Sequence, residues 1–461
     1  MKKSILAVAI AGALLAHTSI QAIEQAPPSQ AQSPTPAKPV KSAFFEAFTA
    51  AAKEINAAMG GETDIVKRLE IFSKLEFSPE LRPKLKDVFG SERGIPVLRT
   101  TGPKGQVIYT TKMVPHTYLD ESAVAFSWAE LNSRSVVNKA GTTLDAKVTW
   151  PSLSIVGASA SGTVEKMSMD LKQARAKDGL WYGTVGMKVG AVAMRGTTPG
   201  SSEFKETARL EDIAISGGLA LHGKKADASY AFSIKAIVFG GDRVDRANFG
   251  VRVLNLPAQA LADLDREMKE VQGSGLPADA QAEVMMKSMK SFGKSIATSG
   301  ASLVIDDISA AYHGNTASIK GRVDFDKVVE ADFDTPIELG KKIIARFDVR
   351  LPVAMVNDVS RLIASKQVDA SAPNSAEQLD LAAKNIAGLV IGKLVNEGFA
   401  VMEKGELRST IDIRNGKVTF NGKIIPIPGM PNGDLVQVYH NAKAAPAAVP
   451  APVSAPAPAK Q

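Results

Sequence analysis

The residues best equipped for chemistry are few and far apart. Ser288-Met289-Lys290-Ser291-Phe292-Gly293-Lys294-Ser295 ends like a phosphate-binding loop, in which glycine amides cradle a phosphate and a lysine neutralises it. The first glycine of that motif falls at Ser288, however, and the surrounding periodicity is helical rather than that of a strand-to-helix turn. Ser291 and Lys294 meet the Ser-x-x-Lys spacing of serine acyl enzymes without the Ser-Asp-Asn and Lys-Thr-Gly elements that complete it. Gly157-Ala158-Ser159-Ala160-Ser161 fails as a nucleophile elbow because Ser161 stands where glycine is required. Asp306-Asp307 would suit a metal or an acid/base pair only if both carboxylates met, and neighbours on a strand point to opposite faces. His17, His116, His222, His313 and His440 are scattered, none with a second histidine or carboxylate at ligand spacing. The chain has 0 cysteines, which excludes disulfides and thiolate metal sites. The expectation is a protein that is not an enzyme and has no catalytic residue, cofactor or metal.

The two ends suggest where the chain works. Lys2 and Lys3 precede an uncharged apolar run from Ile5 to Ala16, too short to span a bilayer, and Ser19-Ile20-Gln21-Ala22 closes a segment with the layout of a secretory signal peptide. Residues 1–22 are thus an expected signal peptide and the periplasm the expected location, with inner-membrane anchoring facing the periplasm as the alternative. Residues 23–42, rich in Pro and Gln, and residues 443–461, an Ala/Pro run, lack the side chains to offset ordering entropy and read as tethers. The net charge of +7 becomes +5 once Lys2 and Lys3 are subtracted. Acids and bases are interspersed, without the basic stripe and interleaved aromatics that nucleic acid requires. Mild attraction to anionic lipid or a membrane surface is the more sensible consequence.

The body of the chain changes period several times. Residues 43–90 read as a helical segment, with Phe44, Phe45 and Phe48 on one side, split by Gly60-Gly61. From about Ile95 to Leu254 polarity alternates with period two, most clearly where Leu144, Ala146, Val148 and Trp150 oppose Thr143, Asp145, Lys147 and Thr149. Trp181, Val185, Met187, Val189 and Ala191 repeat the pattern, but Tyr182, Val192 and Met194 make the other side only partly polar. The same holds for Tyr230, Phe232, Ile234, Ala236 and Val238 against Ser233 and Lys235. Helices interrupt near 256–293, with Ala278, Ala282, Met285, Met289 and Phe292 on one stripe, and near 375–402, where Gly388 and Gly392 sit four apart as if to admit another backbone. That last helix is expected to lie buried along the concave side of the sheet. The predicted fold is α+β: a large curved, mostly antiparallel β-sheet of long strands with helices packed on one face, in a strand-rich domain over residues 91–442 that follows a short N-terminal helical segment. Asn415-Gly416 supplies a type I′ turn that pairs Ile413 with Val418 and Ile411 with Phe420, and Asn421-Gly422 marks a further turn.

The closing run from Ser409 to Lys423, together with the order of elements from Leu254 to Phe325, resembles the YdgA-like family of bacterial envelope proteins. The resemblance spans roughly residues 120 to 425. It implies an envelope location and a strand-rich fold, and it assigns no functional residue. Two functions from different classes follow from the residues. One is a binding protein for lipid or another apolar envelope molecule, in a groove lined by Trp181, Met187, Met194, Met285, Met289, Gly388 and Gly392, because methionine adapts to irregular apolar partners. Strands apolar on both sides, and further methionines at Met167 and Met169, motivate it, and the plainer alternative is that these residues fill a core. The other is an interaction or scaffold protein that meets another envelope protein through a sheet edge and the Ala/Pro tail.

Overall fold

The computed structural model describes residues 42–197, 203–274, 276–368 and 374–424; the expected signal peptide, the linker up to residue 41 and the Ala/Pro tail lie outside them. The chain divides into two compact units, Met1–Lys320 and Gly321–Gln461. The first opens with α1 (Ala43–Met59), α2 (Ile65–Lys74) and α3 (Leu81–Phe89). Gly60 and Gly61, at φ 51° and 80°, end α1 where the sequence placed a break. A further break separates α2 from α3 because Glu54 on α1 takes both the amide of Ser78 (2.9 Å) and its hydroxyl (2.7 Å), which turns the chain back before α3 begins.

Strands β1 (Val97–Thr101), β2 (Val107–Met113), β3 (His116–Leu119), β4 (Ala125–Trp128), β5 (Leu131–Val137), β6 (Thr143–Val156), β7 (Ala160–Arg175), β8 (Trp181–Thr197) and β9 (Phe204–His222) follow. Then come β10 (Lys225–Ile234), β11 (Ala236–Phe239), β12 (Asp242–Pro257), α4 (Ala258–Gly273), α5 (Ala278–Thr298), β13 (Ser302–Tyr312) and β14 (Asn315–Phe325), the last running across the unit boundary. The ladders run β1 to β2 to β5 to β6 to β7 to β8 to β9, on through β10 and β11 to β12 and β13, with β3 paired to β4 and β4 to the far half of β6. All are antiparallel, in agreement with the expected fold class. His313 and Gly314, both at positive φ, make the tight turn between β13 and β14.

An alignment of irregularities crosses this sheet. The ladders skip Pro151 opposite Lys166, Lys166 opposite Gly190, and Gly190 opposite Asp212, and β10 gives way to β11 at Lys235, opposite Asp212. Lys166 and Asp212 adopt left-handed φ of 53° and 46° inside strands, as bulged residues do. Each strand therefore inverts its side-chain parity at one level. Trp150 before the irregularity and Leu153 and Ile155 after it pack in the same core, although strict alternation would put Leu153 on the opposite face. This corrects the sequence-based impression of strands that are apolar on both sides. Ala191 belongs to the polar face, and Val192 and Met194 continue the face of Val185 and Met187; likewise Ile237 and Phe239, rather than Ala236 and Val238, continue the face of Phe232 and Ile234.

In the second unit a 3-10 turn (Glu330–Phe333), α6 (Pro336–Lys341), β15 (Ile343–Pro352), α7 (Val353–Ser365), α8 (Ser375–Asn396), β16 (Val401–Glu403), β17 (Glu406–Arg414) and β18 (Lys417–Phe420) follow one another. β17 pairs with β15, β16 and β18. The closing hairpin has the register its Asn-Gly turn dictates, Ile413 opposite Val418 and Ile411 opposite Phe420, and Asn421 and Gly422 make the further turn at φ 51° and 78°. Helix α8 departs from expectation. It packs on α7, with Val356, Ala387, Ala400 and Leu407 forming the core, and leaves Leu381 and Leu389 62% and 73% exposed. Its apolar residues lie around the whole helix, so one neighbour cannot cover them.

Candidate functional site

Directly opposed residues of antiparallel strands share a face, so the register shows what that face carries. Val148, Met169, Met187, Ile215, Phe232, Phe249 and Ile308 form one row across seven strands. Ala146, Leu171, Val185, Gly217, Tyr230, Val251 and Ile305 form the next. Beyond the line of bulges lies a third, of Leu153, Val164, Val192, Leu210, Ile237, Val244 and Tyr312. At the usual strand spacing each row is about 30 Å long. The reverse face carries Lys147, Asp170, Gly186, Ser216, Ala231, Gly250 and Asp307 in one such row, and is polar and small. Two faces of opposite character follow from one chemical rule, that each strand buries one side.

The N-terminal helices cover one end of the apolar face. Phe44 stacks on Phe126 at 4.1 Å, and Phe44, Ala47 and Val88 pack with Trp128, Leu153 and Ile155. Ile65, Val66 and Leu69 of α2 pack on Tyr109, Leu144, Leu171 and Trp181. Helix α2 is tied down at both ends. Asp64 caps its first turn through the amides of Val66 and Lys67 and pairs with Arg175 on β7 at 3.1 Å. Glu70 pairs with Lys74 at 2.7 Å, accepts from the Tyr109 hydroxyl at 2.7 Å and pairs with Arg99 at 2.8 Å. Those partners, Lys74 first, hold the Glu70 carboxyl down at about 2, while burial and then Glu70 push the Tyr109 phenol up to about 12. At the strand ends of β8, β9 and β10, Leu261 and Ala262 of α4 pack with Leu180, Tyr182, Leu219 and Ala226. Between these covers the face stays open to water: Met187, Ile215, Phe232, Val251 and Ile308 are half-buried, Phe249 is 37% exposed and Leu303 39%.

The residues expected to line a groove are distributed as follows. Met187 and Met194 lie on the apolar face, half-buried, on opposite sides of the bulge line. Trp181 is buried in the core beneath α2. Met285 and Met289 are exposed on α5, because that helix turns Ser288 inward and not the methionine stripe. Gly388 and Gly392 belong to the other unit, and no neighbouring backbone stands within 4 Å of where their side chains would begin. Sequence reasoning missed Ile215, Phe249 and Ile308; the signal was the shift from Val189 to Val192 and from Ile213 to Leu210, three residues where alternation requires two.

The motif fragments are also separated. Ser291 and Lys294 sit within α5, and Gly157 to Ala160 is the turn between β6 and β7, closed by the Gly157 amide on the Ala160 carbonyl at 2.9 Å. Asp306 binds Arg252 through two contacts of 2.6 and 2.7 Å, which lower its pKa, while Asp307 accepts from Ser309 at 3.0 Å. His222 lies 3.6 Å from Asp227, a partner five residues along that the hairpin of β9 and β10 brings round. His116 and Trp128 have ring centroids 5.4 Å apart, and His313 stacks on Tyr312 at 4.1 Å. His17 and His440 lie outside the described residues. Among the described residues no helix is long and apolar enough to cross a membrane, which says nothing of strands.

Comparison with known families places this architecture. The family described as "Bacterial protein of unknown function (DUF945)" matches residues 71–428. The chain belongs to this family. The DUF945 match takes in every strand from β1 to β18 together with α3 to α8, so the apolar face and its line of bulges fall inside it. No curated protein and no solved structure matches the chain.

Proposed function

We propose that this DUF945 protein is a non-enzymatic binding protein of the bacterial cell envelope, exported to the periplasm, which holds a lipid or another long apolar molecule against the open part of its apolar sheet face. Within the family we place it with the YdgA-like members, on its closing hairpin and its central helical pair. The observation that carries the function is the row from Val148 to Ile308. It is apolar on seven neighbouring strands, and every member is half-buried except Phe249, which is exposed. Monomeric proteins rarely leave a contiguous apolar surface of this extent without a partner for it. A face about 30 Å long suits an extended acyl chain better than a compact metabolite. Phe249 and Tyr230, with ring centroids 6.1 Å apart, and the pliable Met187 offer a surface that adapts to a flexible ligand.

Mass spectrometry of an organic extract from protein purified without detergent tests this, alongside an unrelated periplasmic control. Stoichiometric phospholipid or fatty acid found only in the sample is the expected result. An extract matching the control counts against a bound lipid. A second function, pairing with another envelope protein, is favoured by one observation: β1, an edge strand short enough to discourage aggregation, still presents Leu98 at 63% exposure.

A further inference from the structure

Two adjoining stripes run along helix α5. At 3.6 residues per turn, Ala282, Met286, Met289 and Gly293 fall on one line, and Glu283, Lys287, Lys290 and Lys294 on the line beside it. A third line, of Gln281, Ser288, Phe292 and Ser295, turns toward the protein, with Ser288 buried and the others half-buried. Every residue from Ala282 to Lys287 and from Met289 to Ser291 is exposed. Met286 is 72% and Met289 51% exposed, and Leu276 just before the helix is 41% exposed.

From Val284 to Ser291 the helix exposes Lys287 and Lys290 and contains no acid. The charge complement of this stretch is therefore an anionic partner, and the complement of the methionine line is apolar and without fixed shape. A narrow apolar stripe with cations along its border is the layout of a helix lying in the plane of a bilayer interface. We infer that α5 docks on the surface of an anionic phospholipid bilayer, Met286 and Met289 entering the acyl boundary and Lys287 and Lys290 meeting headgroup phosphates. This docking does not require the sheet to hold a ligand. A chain that fails to bind acyl chains yet docks through α5 loses the first reading and keeps this one.

The absence of cysteine makes the test site-specific. A single Met286→Cys in the full chain is labelled with an environment-sensitive nitrobenzoxadiazole, and Ser229→Cys on the polar face of β10 serves as the control position. Vesicles of phosphatidylglycerol and phosphatidylcholine in equal parts should brighten and blue-shift the label at 286 and leave the label at 229 unchanged, while phosphatidylcholine alone should do neither. Each lysine near such a surface is worth about fivefold in partitioning, so Lys287→Glu with Lys290→Glu should weaken the response at least ~25-fold. Three results would overturn the inference. The label at 286 stays dark although the chain co-sediments with anionic vesicles; it brightens with protein concentration alone, which identifies a second copy as the partner; or the charge-reversed chain responds as the parent does.

Discussion

Replacing Phe249 by alanine is the sharpest trial of the open face. The ring is 37% exposed, and an aromatic side chain offers about 200 Å², so about 75 Å² of it remains for a ligand to cover. At about 25 cal/mol per Å² that contact is worth about 2 kcal/mol, or about 25-fold in Kd. The assay is displacement of a dansylated undecanoic acid, followed by fluorescence. Phe249→Leu keeps most of the covered area and should stay within about threefold of the parent. Ser229→Ala, on the reverse face, should change nothing. Because the rest of the ring is packed, Phe249→Ala should also lower stability by about 2 kcal/mol, so a cooperative melt must accompany each titration. Equal affinity of Phe249→Ala and the parent, with both cooperatively folded, would remove this face from the argument.

Other expectations follow from local geometry. At Gly183, φ is +140° and an added Cβ would stand 2.0 Å from the Lys172 carbonyl oxygen; Gly183→Ala should cost more than about 3 kcal/mol in urea unfolding, and a loss under 1 would contradict the close approach. Lys166→Val places a β-branched side chain at the left-handed bulge and should cost about 2 kcal/mol, whereas an unchanged unfolding midpoint would mean the bulge is absent in solution. Glu70, held at about 2 against an ordinary 4.5, contributes stability that is complete above pH 4.5 and lost as pH falls from there toward 2. Its side chain is 32% exposed, so after solvent screening Glu70→Gln should cost about 1 to 2 kcal/mol at neutral pH. The variant should also flatten the stability profile below pH 4.5, and an unaltered difference between pH 6 and pH 3 would refute the pairing.

Much of the fold was legible because each strand obeys one rule over short stretches. The Asn415-Gly416 turn fixed its own register, since its two positive φ angles admit one pairing of the flanking residues. Leu144 to Trp150 gave its face by alternation alone. What alternation could not convey was the inversion at Pro151, Lys166, Gly190 and Asp212. One irregular residue per strand exchanges the two faces, and no single strand announces that its neighbours do so at the same level. Apolar content misled at α8, where Leu389 is counted with the core by composition and stands 73% exposed. Helix α7 was not foreseen, and Val356 on it supplies the cover that α8 was expected to find against the sheet. At the candidate site, methionine content marked Met187 and Met194, but the aromatic and branched floor between them and β13 became visible only when six registers were read together.

The aligned bulges have a consequence for inheritance. Deleting one residue from β7 alone would turn half of that strand over, setting Met167 and Leu171 against the polar face while β6 and β8 kept their orientation. Such a change is repaired only by matching changes in both neighbours. Strand length at this level should accordingly resist insertion and deletion far more than the hairpin tips do, and variation among relatives should collect at the tips.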